Sequence, residues 1–319
     1  MAQSISMDGP HFRTIERFIM PQHIVMTVSG SNVDMWNTAS PQPAGVASAL
    51  AAAFPDLFYW QPVGNYPAAV FPMGPSVDAG VAELNRLCTQ VNPPDGQPSY
   101  PDNSIILLGY SQGAIVVCQF LHTIAWLNPQ IANRIVAVSV WGNPCRLPGF
   151  ASGNQFAGWP MPANVDGVVT GGISGPACMT AADVAPHLLT PVTHFWGDFV
   201  NTIGVGNDLY ADAPVGPNPW TAEAGPGVIE TQIYNIVQNA TSSNIFAILR
   251  DALKLVTPST SVDEIISITE AIYNGGMFLA AGPNAAHYTY DTTPIYNFIA
   301  LAGQETPPFV GSQVINPNV

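Results

Sequence analysis

Four short runs of apolar, β-branched and aromatic residues punctuate the chain, at Ile24 to Val28, Ser104 to Leu108, Ile135 to Trp141 and Val192 to Val200. They do not keep the strict apolar-polar alternation of a half-exposed strand. Each is therefore expected to be buried on both faces, as parallel strands are. Helical patterns lie between them, and the alternation predicts an α/β fold with a central, mainly parallel sheet flanked by helices. Two stretches dense in Pro, Gly and Asn, Gln61 to Ser76 and Pro144 to Pro176, are expected to be loops long enough to shape a binding surface.

From about Val228 to Leu279 the pattern changes to three successive helical segments, with Ile245, Ile248, Ala252 and Val256 spaced for one helix face. Ser261 and Glu264 form a capping box ahead of Ile265, Ile268 and Ile272, and Gly275-Gly276 stops that helix. The organisation expected is an N-terminal extension over 1–20, an α/β core over 21–226, a helical insertion (linker or lid) over 227–280, a return to the core over 281–305, and a C-terminal tail over 306–319.

Composition narrows the classes of function. Of 319 residues, 47% are hydrophobic and only 9% are charged, which is a globular balance and the opposite of a disordered one. Seven Lys and Arg stand against 21 Asp and Glu, and a formal charge of −14 repels a phosphate backbone, so nucleic acid is not expected as a partner. The opening MAQSISMDGPHFRTIERFIM lacks a basic start followed by an apolar run, and no stretch approaches the length of a bilayer span. Neither an export signal nor a membrane anchor is expected. The four cysteines show no spacing suited to a metal, and no metal is expected. Cys88 and Cys118 read as buried helix residues. Cys145 and Cys178 lie in loop-like sequence, where their pairing stays open.

The chemistry-bearing segment is Asn103-Ser-Ile-Ile-Leu-Leu-Gly-Tyr-Ser111-Gln-Gly113-Ala-Ile-Val-Val, which runs strand, G-x-S-x-G and helix without a break. The bare motif is weak, but its flanks are those of a nucleophile elbow. There a strained turn lifts a serine hydroxyl clear of the sheet, and small residues at 109 and 113 let the turn pack. Ser111 is the candidate nucleophile. A neutral hydroxyl needs a base, and on such scaffolds acid and histidine follow the serine in that order. His122, His187, His194 and His287 come after Ser111. His122 lies on the helix after the elbow, and His194 falls within the apparent last strand. His187, in a loop, is not dismissed by pattern. His287, late in the chain beyond the insertion, is the best placed base.

Asp208 and Asp198 are candidates for the acid that orients the histidine. Position favours Asp208, beyond the strand, and leaves Asp198 as a supporting or capping carboxylate. For an oxyanion, the backbone N–H of Gln112 is one candidate donor, and Ser31 in Val28-Ser-Gly-Ser31-Asn is the second. No organic cofactor is required. Phe71, Met73, Trp159, Trp220 and the helical insertion are candidate walls for an apolar trough.

The chain resembles the phage lysin B family, esterases that cut mycolic acids from arabinogalactan in mycobacterial-type envelopes. The resemblance rests on Trp60-Gln-Pro-Val-Gly-Asn-Tyr-Pro-Ala-Ala-Val-Phe-Pro-Met73, Gly109-Tyr-Ser-Gln-Gly-Ala-Ile-Val-Val117, Trp141-Gly-Asn-Pro144 with Arg146 and Gly149-Phe150, Asp208-Leu-Tyr-Ala211, and His287 with Tyr288 and Pro294. It spans roughly residues 22 to 303. It implies a cutinase-like α/β-hydrolase with a helical subdomain between acid and base, Ser111, Asp208 and His287 as the triad, and Ser31 in the oxyanion loop. It departs from the family where Ser29-Gly30-Ser31 replaces a His-Gly-Thr type segment. The partners it implies are a lipid ester, mycolyl-arabinogalactan, and the host cell envelope. Such a protein would be made in the infected cell and act at the outer envelope during lysis. A general cutinase-like or lipase-like carboxylesterase is the alternative.

Overall fold

The computed structural model describes residues 21–69, 73–162, 170–174, 179–180, 182–184, 194–202, 208, 210–214 and 285–311. The expected N-terminal extension, the tail from residue 312 onward and the helical insertion lie outside the described residues, as do His187, Cys178, Phe71 and Trp220.

Among the described residues five parallel strands form the central sheet, β1 (His23–Val28), β2 (Phe58–Pro62), β3 (Ile105–Tyr110), β4 (Ile135–Trp141) and β6 (Trp196–Phe199), while β5 (Thr170–Gly171) and β7 (Ala213–Pro214) form a separate antiparallel pair. Their order is β2-β1-β3-β4-β6. The helices are α1 (Pro43–Ala53), α2 (Met73–Thr89), α3 (Gln112–Phe120) continued by a π-helical turn (Leu121–Ala125), α4 (Pro129–Ala132), α5 (Ser152–Ala157), α6 (Ala285–Tyr288) and α7 (Thr293–Glu305).

The period of two along each strand sorts its side chains between two apolar layers. Ile24, Met26, Val28, Ile105, Leu107, Val138 and Val140 pack with Val77 and Leu84 of α2 and with Val116 of α3. The alternate residues Val25, Ile106, Leu108, Tyr110 and Trp141 pack with Leu50 of α1 and with Ile295 and Ile299 of α7. Both faces are covered, which is why these strands read as continuous apolar runs. Helix α3 is buried along nearly its whole length, as its all-round apolar sequence demands.

Three of the expected strands sit where the runs placed them. β2 was not legible as a strand: it is an edge strand with Tyr59 exposed, and its final Gln61-Pro62 resembles the start of the turn-rich stretch that follows. α2 likewise begins inside that stretch, and the loop from Pro144 contains α5 and β5. β6 is shorter than its apolar run. His194 lies ahead of it, half-exposed, with Nδ1 at 2.7 Å from Glu305 of α7.

β1 leads outward to β2, whereas β3 leads the other way to β4, so the strand order reverses between β1 and β3. At such a switch point the loops leaving two adjacent strands part and open a crevice at the carboxyl ends. Those ends are Val28 and Tyr110, and the residues that follow them are Ser29 to Ser31 and Ser111.

Candidate active site

Ser111 occupies the turn between β3 and α3 with φ 56° and ψ −121°, left-handed backbone that a residue with a Cβ adopts only when its surroundings force it. Its neighbours show the constraint. A Cβ on Gly113 would lie 2.0 Å from the Val28 carbonyl oxygen, and one on Gly109 would lie 2.7 Å from the Gly113 carbonyl oxygen. Neither contact is sterically possible, so the two motif glycines let α3 pack directly against β1 and β3. Because α3 starts at the next residue, the N–H groups of Gln112 and Gly113 are among those a helix leaves without internal acceptors.

Three side chains from distant parts of the chain form one line of hydrogen bonds. The Ser111 hydroxyl lies 2.9 Å from His287 Nε2, and His287 Nδ1 lies 2.8 Å from Asp208 Oδ2. An ionised carboxylate only accepts, so Nδ1 carries the imidazole hydrogen and Nε2 is left to accept the Ser111 proton. All three residues are buried.

Asp208 is fully dehydrated, and burial alone would push its carboxyl upward. The charge and hydrogen bond of His287, with bonds from the Tyr290 hydroxyl and the Tyr210 N–H, outweigh that and hold it below the usual carboxylate range. Tyr290 donates to Oδ2 at 2.5 Å, and its own oxygen accepts from the Asn201 N–H at 3.2 Å.

The imidazole is fixed on its other sides as well. The Tyr110 ring stacks on it with centroids 5.2 Å apart, and the Tyr110 hydroxyl donates to the His287 carbonyl. Tyr210 packs at 4.8 Å. Gly142, with φ 52°, lies against the ring so closely that a Cβ would be 2.9 Å from His287 Cε1.

On the other side of Ser111 lies the loop after β1. A Cβ on Gly30 would be 3.4 Å from Ser111 Cβ, which places this loop beside the serine. The Ser31 hydroxyl donates to Gln112 Oε1 at 3.3 Å, and Tyr66 donates to the same oxygen at 2.9 Å, while Gln112 Nε2 donates to the Ala69 carbonyl. The Gln112 side chain is thereby anchored away from Ser111. Its backbone N–H is what it can present to a bound carbonyl.

Asp198 does not meet His287. It lies buried on β6, where Oδ2 accepts from Asn143 Nδ2 at 2.8 Å and Oδ1 has no partner among the described residues. Burial pushes its carboxyl up to about 7, against the opposing pull of Arg146 and the Asn143 bond. His122 pairs with Asp183 at 2.9 Å, away from the serine. Cys145 is disulfide-bonded, to a partner outside the described residues, and Cys88 and Cys118 are free and buried. Trp159 packs edge-on against Phe199, and Met73 lies partly buried against the α2 and α3 layer.

Sequence reasoning missed Tyr290, Asn143, the buried Arg146–Asp212 pair and the role of Tyr110 as a platform. Asn143, Arg146 and Tyr110 belong to blocks already singled out but carried no assigned role there, Asp212 directly follows Asp208-Leu-Tyr-Ala211, and Tyr290 is three residues past His287.

A covered parallel sheet whose switch point presents a positive-φ serine defines the α/β-hydrolase fold. The Cutinase family model matches residues 32–190. Endolysin B of Mycobacterium phage L5 is 43% identical over 127 residues, covering 37% of this chain and 47% of that protein, and endolysin B of Mycobacterium phage D29 is 42% identical over the same shares. The chain spans about half the length of these curated relatives in the matched region. The crystal structure of lysin B from mycobacteriophage D29 superposes with a TM-score of 0.55 at 27% identity, covering 88% of this chain and 99% of that one. The chain is thus similar to the phage lysin B proteins and, over residues 32–190, to the cutinases. No helix among the described residues is long and apolar enough to cross a membrane.

Proposed function

We propose that this protein is a serine esterase that hydrolyses the ester between mycolic acids and arabinogalactan during phage-mediated lysis of a mycobacterial-type host. The observation that carries the chemistry is the line Ser111, His287, Asp208 at the switch point. The likeness to endolysin B proteins supports the substrate.

In this mechanism His287 Nε2 takes the Ser111 proton as the oxygen attacks the ester carbonyl carbon, and Asp208 stabilises the imidazolium that results. The Gln112 N–H, together with a backbone donor of the loop through Ser31, holds the oxyanion. The Ser31 side chain is engaged with Gln112, so its loop acts through the main chain. The tetrahedral intermediate collapses as His287 protonates the departing sugar oxygen, leaving an acyl group on Ser111. Water, deprotonated by the same imidazole, attacks that acyl-enzyme, and the acid leaves with Ser111 reprotonated.

The test compares wild type with Ser111→Ala on a p-nitrophenyl ester and on purified mycolate-containing walls, with mass analysis of released lipid. Loss of both activities in the variant, with free mycolic acid released only by wild type, supports the proposal. Full ester turnover by the variant refutes the nucleophile. Turnover of short esters without mycolic acid release favours a general cutinase-like esterase. No turnover by wild type, with Ser111 unreactive toward a fluorophosphonate, indicates a noncatalytic scaffold.

A further inference from the structure

Arg146 is a guanidinium with no solvent exposure, an arrangement whose desolvation cost is offset only when every donor is used. Its five hydrogen bonds match the five N–H groups available. Nε donates to the Ala211 carbonyl, one terminal nitrogen to the Phe150 and Leu147 carbonyls, and the other to Thr170 Oγ1 and Asp212 Oδ1. These acceptors belong to three separate segments: the loop leaving β4, strand β5, and the turn 208–212.

That turn carries the carboxylate bonded to His287. The Asp208 carbonyl accepts from the N–H groups of both Ala211 and Asp212, so residues 208 to 212 close into one tight unit, and Arg146 grips that unit at its far end. The Tyr210 carbonyl accepts from Ile173 N–H, which ties the same turn to the chain after β5. The Asp208 N–H donates to the Asn201 carbonyl beyond β6, which fixes the near end of the turn, and the guanidinium, with Thr170, joins its far end to β5 and the loop leaving β4.

We infer that Arg146 is a positioning residue, whose buried fork sets the turn 208–212 so that Asp208 meets His287. This rests on the proposed Ser111 chemistry. Arg146 touches no reacting atom and acts through Asp208. A Lys in its place keeps the charge but has three donors and no planar fork, and Asp212→Asn keeps the fold of the turn while removing the opposite charge.

The experiment measures kcat and KM of wild type, Arg146→Lys and Asp212→Asn on p-nitrophenyl butyrate, well below each protein's Tm. It adds the low-field proton NMR signal of the His287 Nδ1–H. The expected result is a fall in kcat of at least tenfold in Arg146→Lys and a smaller fall in Asp212→Asn, with KM within twofold. The low-field signal should weaken or disappear, because an Nδ1–H that no longer meets the carboxylate exchanges with water. A purely structural clamp would lower Tm and leave the other readouts at wild-type values, which overturns the inference. Should Arg146→Lys fail to fold, Asp212→Asn decides by the same measurements. Wild-type Ser111 failing to react with a fluorophosphonate would refute the underlying site instead, a result separate from either outcome in the variants.

Discussion

Tyr290 and His287 share one oxygen: the tyrosine hydroxyl and the imidazole Nδ1–H both converge on Asp208 Oδ2, at 2.5 and 2.8 Å. The residue that supplies the imidazole and the residue that steadies its acid are three positions apart in the chain. Asn201 N–H in turn fixes the tyrosine oxygen, so Asp208 is held in one rotamer by groups that do not themselves react.

Tyr290→Phe removes that hydroxyl and nothing else. A hydrogen bond to a buried charged group is worth about 1.5–3 kcal/mol, and kcat on a short ester should fall on the order of tenfold with KM unchanged. Asp208 is held low in the folded state, so it contributes stability above its unfolded pKa that is lost as pH falls through the folded one. Losing the bond raises the folded pKa, and the acid-unfolding midpoint should shift to higher pH. Steady-state kinetics and a pH titration followed by circular dichroism check both.

Gly113→Ala tests the packing of the elbow. Its methyl would sit 2.0 Å from the Val28 carbonyl oxygen, a backbone atom that cannot move without shifting β1. The variant should lose about 3 kcal/mol of stability, seen as a collapse in soluble yield or a Tm many degrees lower.

Asp198→Asn should stabilise the protein at neutral and alkaline pH. The folded pKa of about 7 lies above the usual carboxylate value, so the native state binds the extra proton and stability from this group is lost as pH rises toward 7. The amide oxygen can accept from Asn143 as the carboxylate does, without a buried charge. The difference in unfolding free energy should be near zero at pH 4 and grow to at most about 4 kcal/mol above pH 7. Urea melts at the two pH values measure it, and unchanged esterase activity would separate Asp198 from the line through His287.

The sheet was legible because β1, β3 and β4 are covered on both sides, which leaves runs with no polar face. β2 escaped because an edge strand with one exposed side and a terminal proline carries the composition of a loop. Ser111, Asp208 and His287 were readable from motif and order, since elbow chemistry restricts its local sequence. The order does not encode distance, and bringing residues 111, 208 and 287 together is the work of the whole sheet. Arg146 and Tyr290 were opaque for that reason: a buried Arg or Tyr looks like any other until the acceptors around it are known. His194 was read into the last strand because its neighbours are apolar, whereas the strand begins only at Trp196 and the histidine faces Glu305.

The proposed esterase chemistry rests on a Ser111 oxygen that His287 activates as a nucleophile. The most direct measurement is intact-mass and peptide mapping after treatment with a fluorophosphonate, on wild type, Ser111→Ala and His287→Ala. A single adduct is expected on the peptide containing Ser111 in wild type, none in Ser111→Ala, and labelling slowed at least a hundredfold in His287→Ala. Labelling of a different residue, or labelling of Ser111 at the wild-type rate without His287, would contradict it.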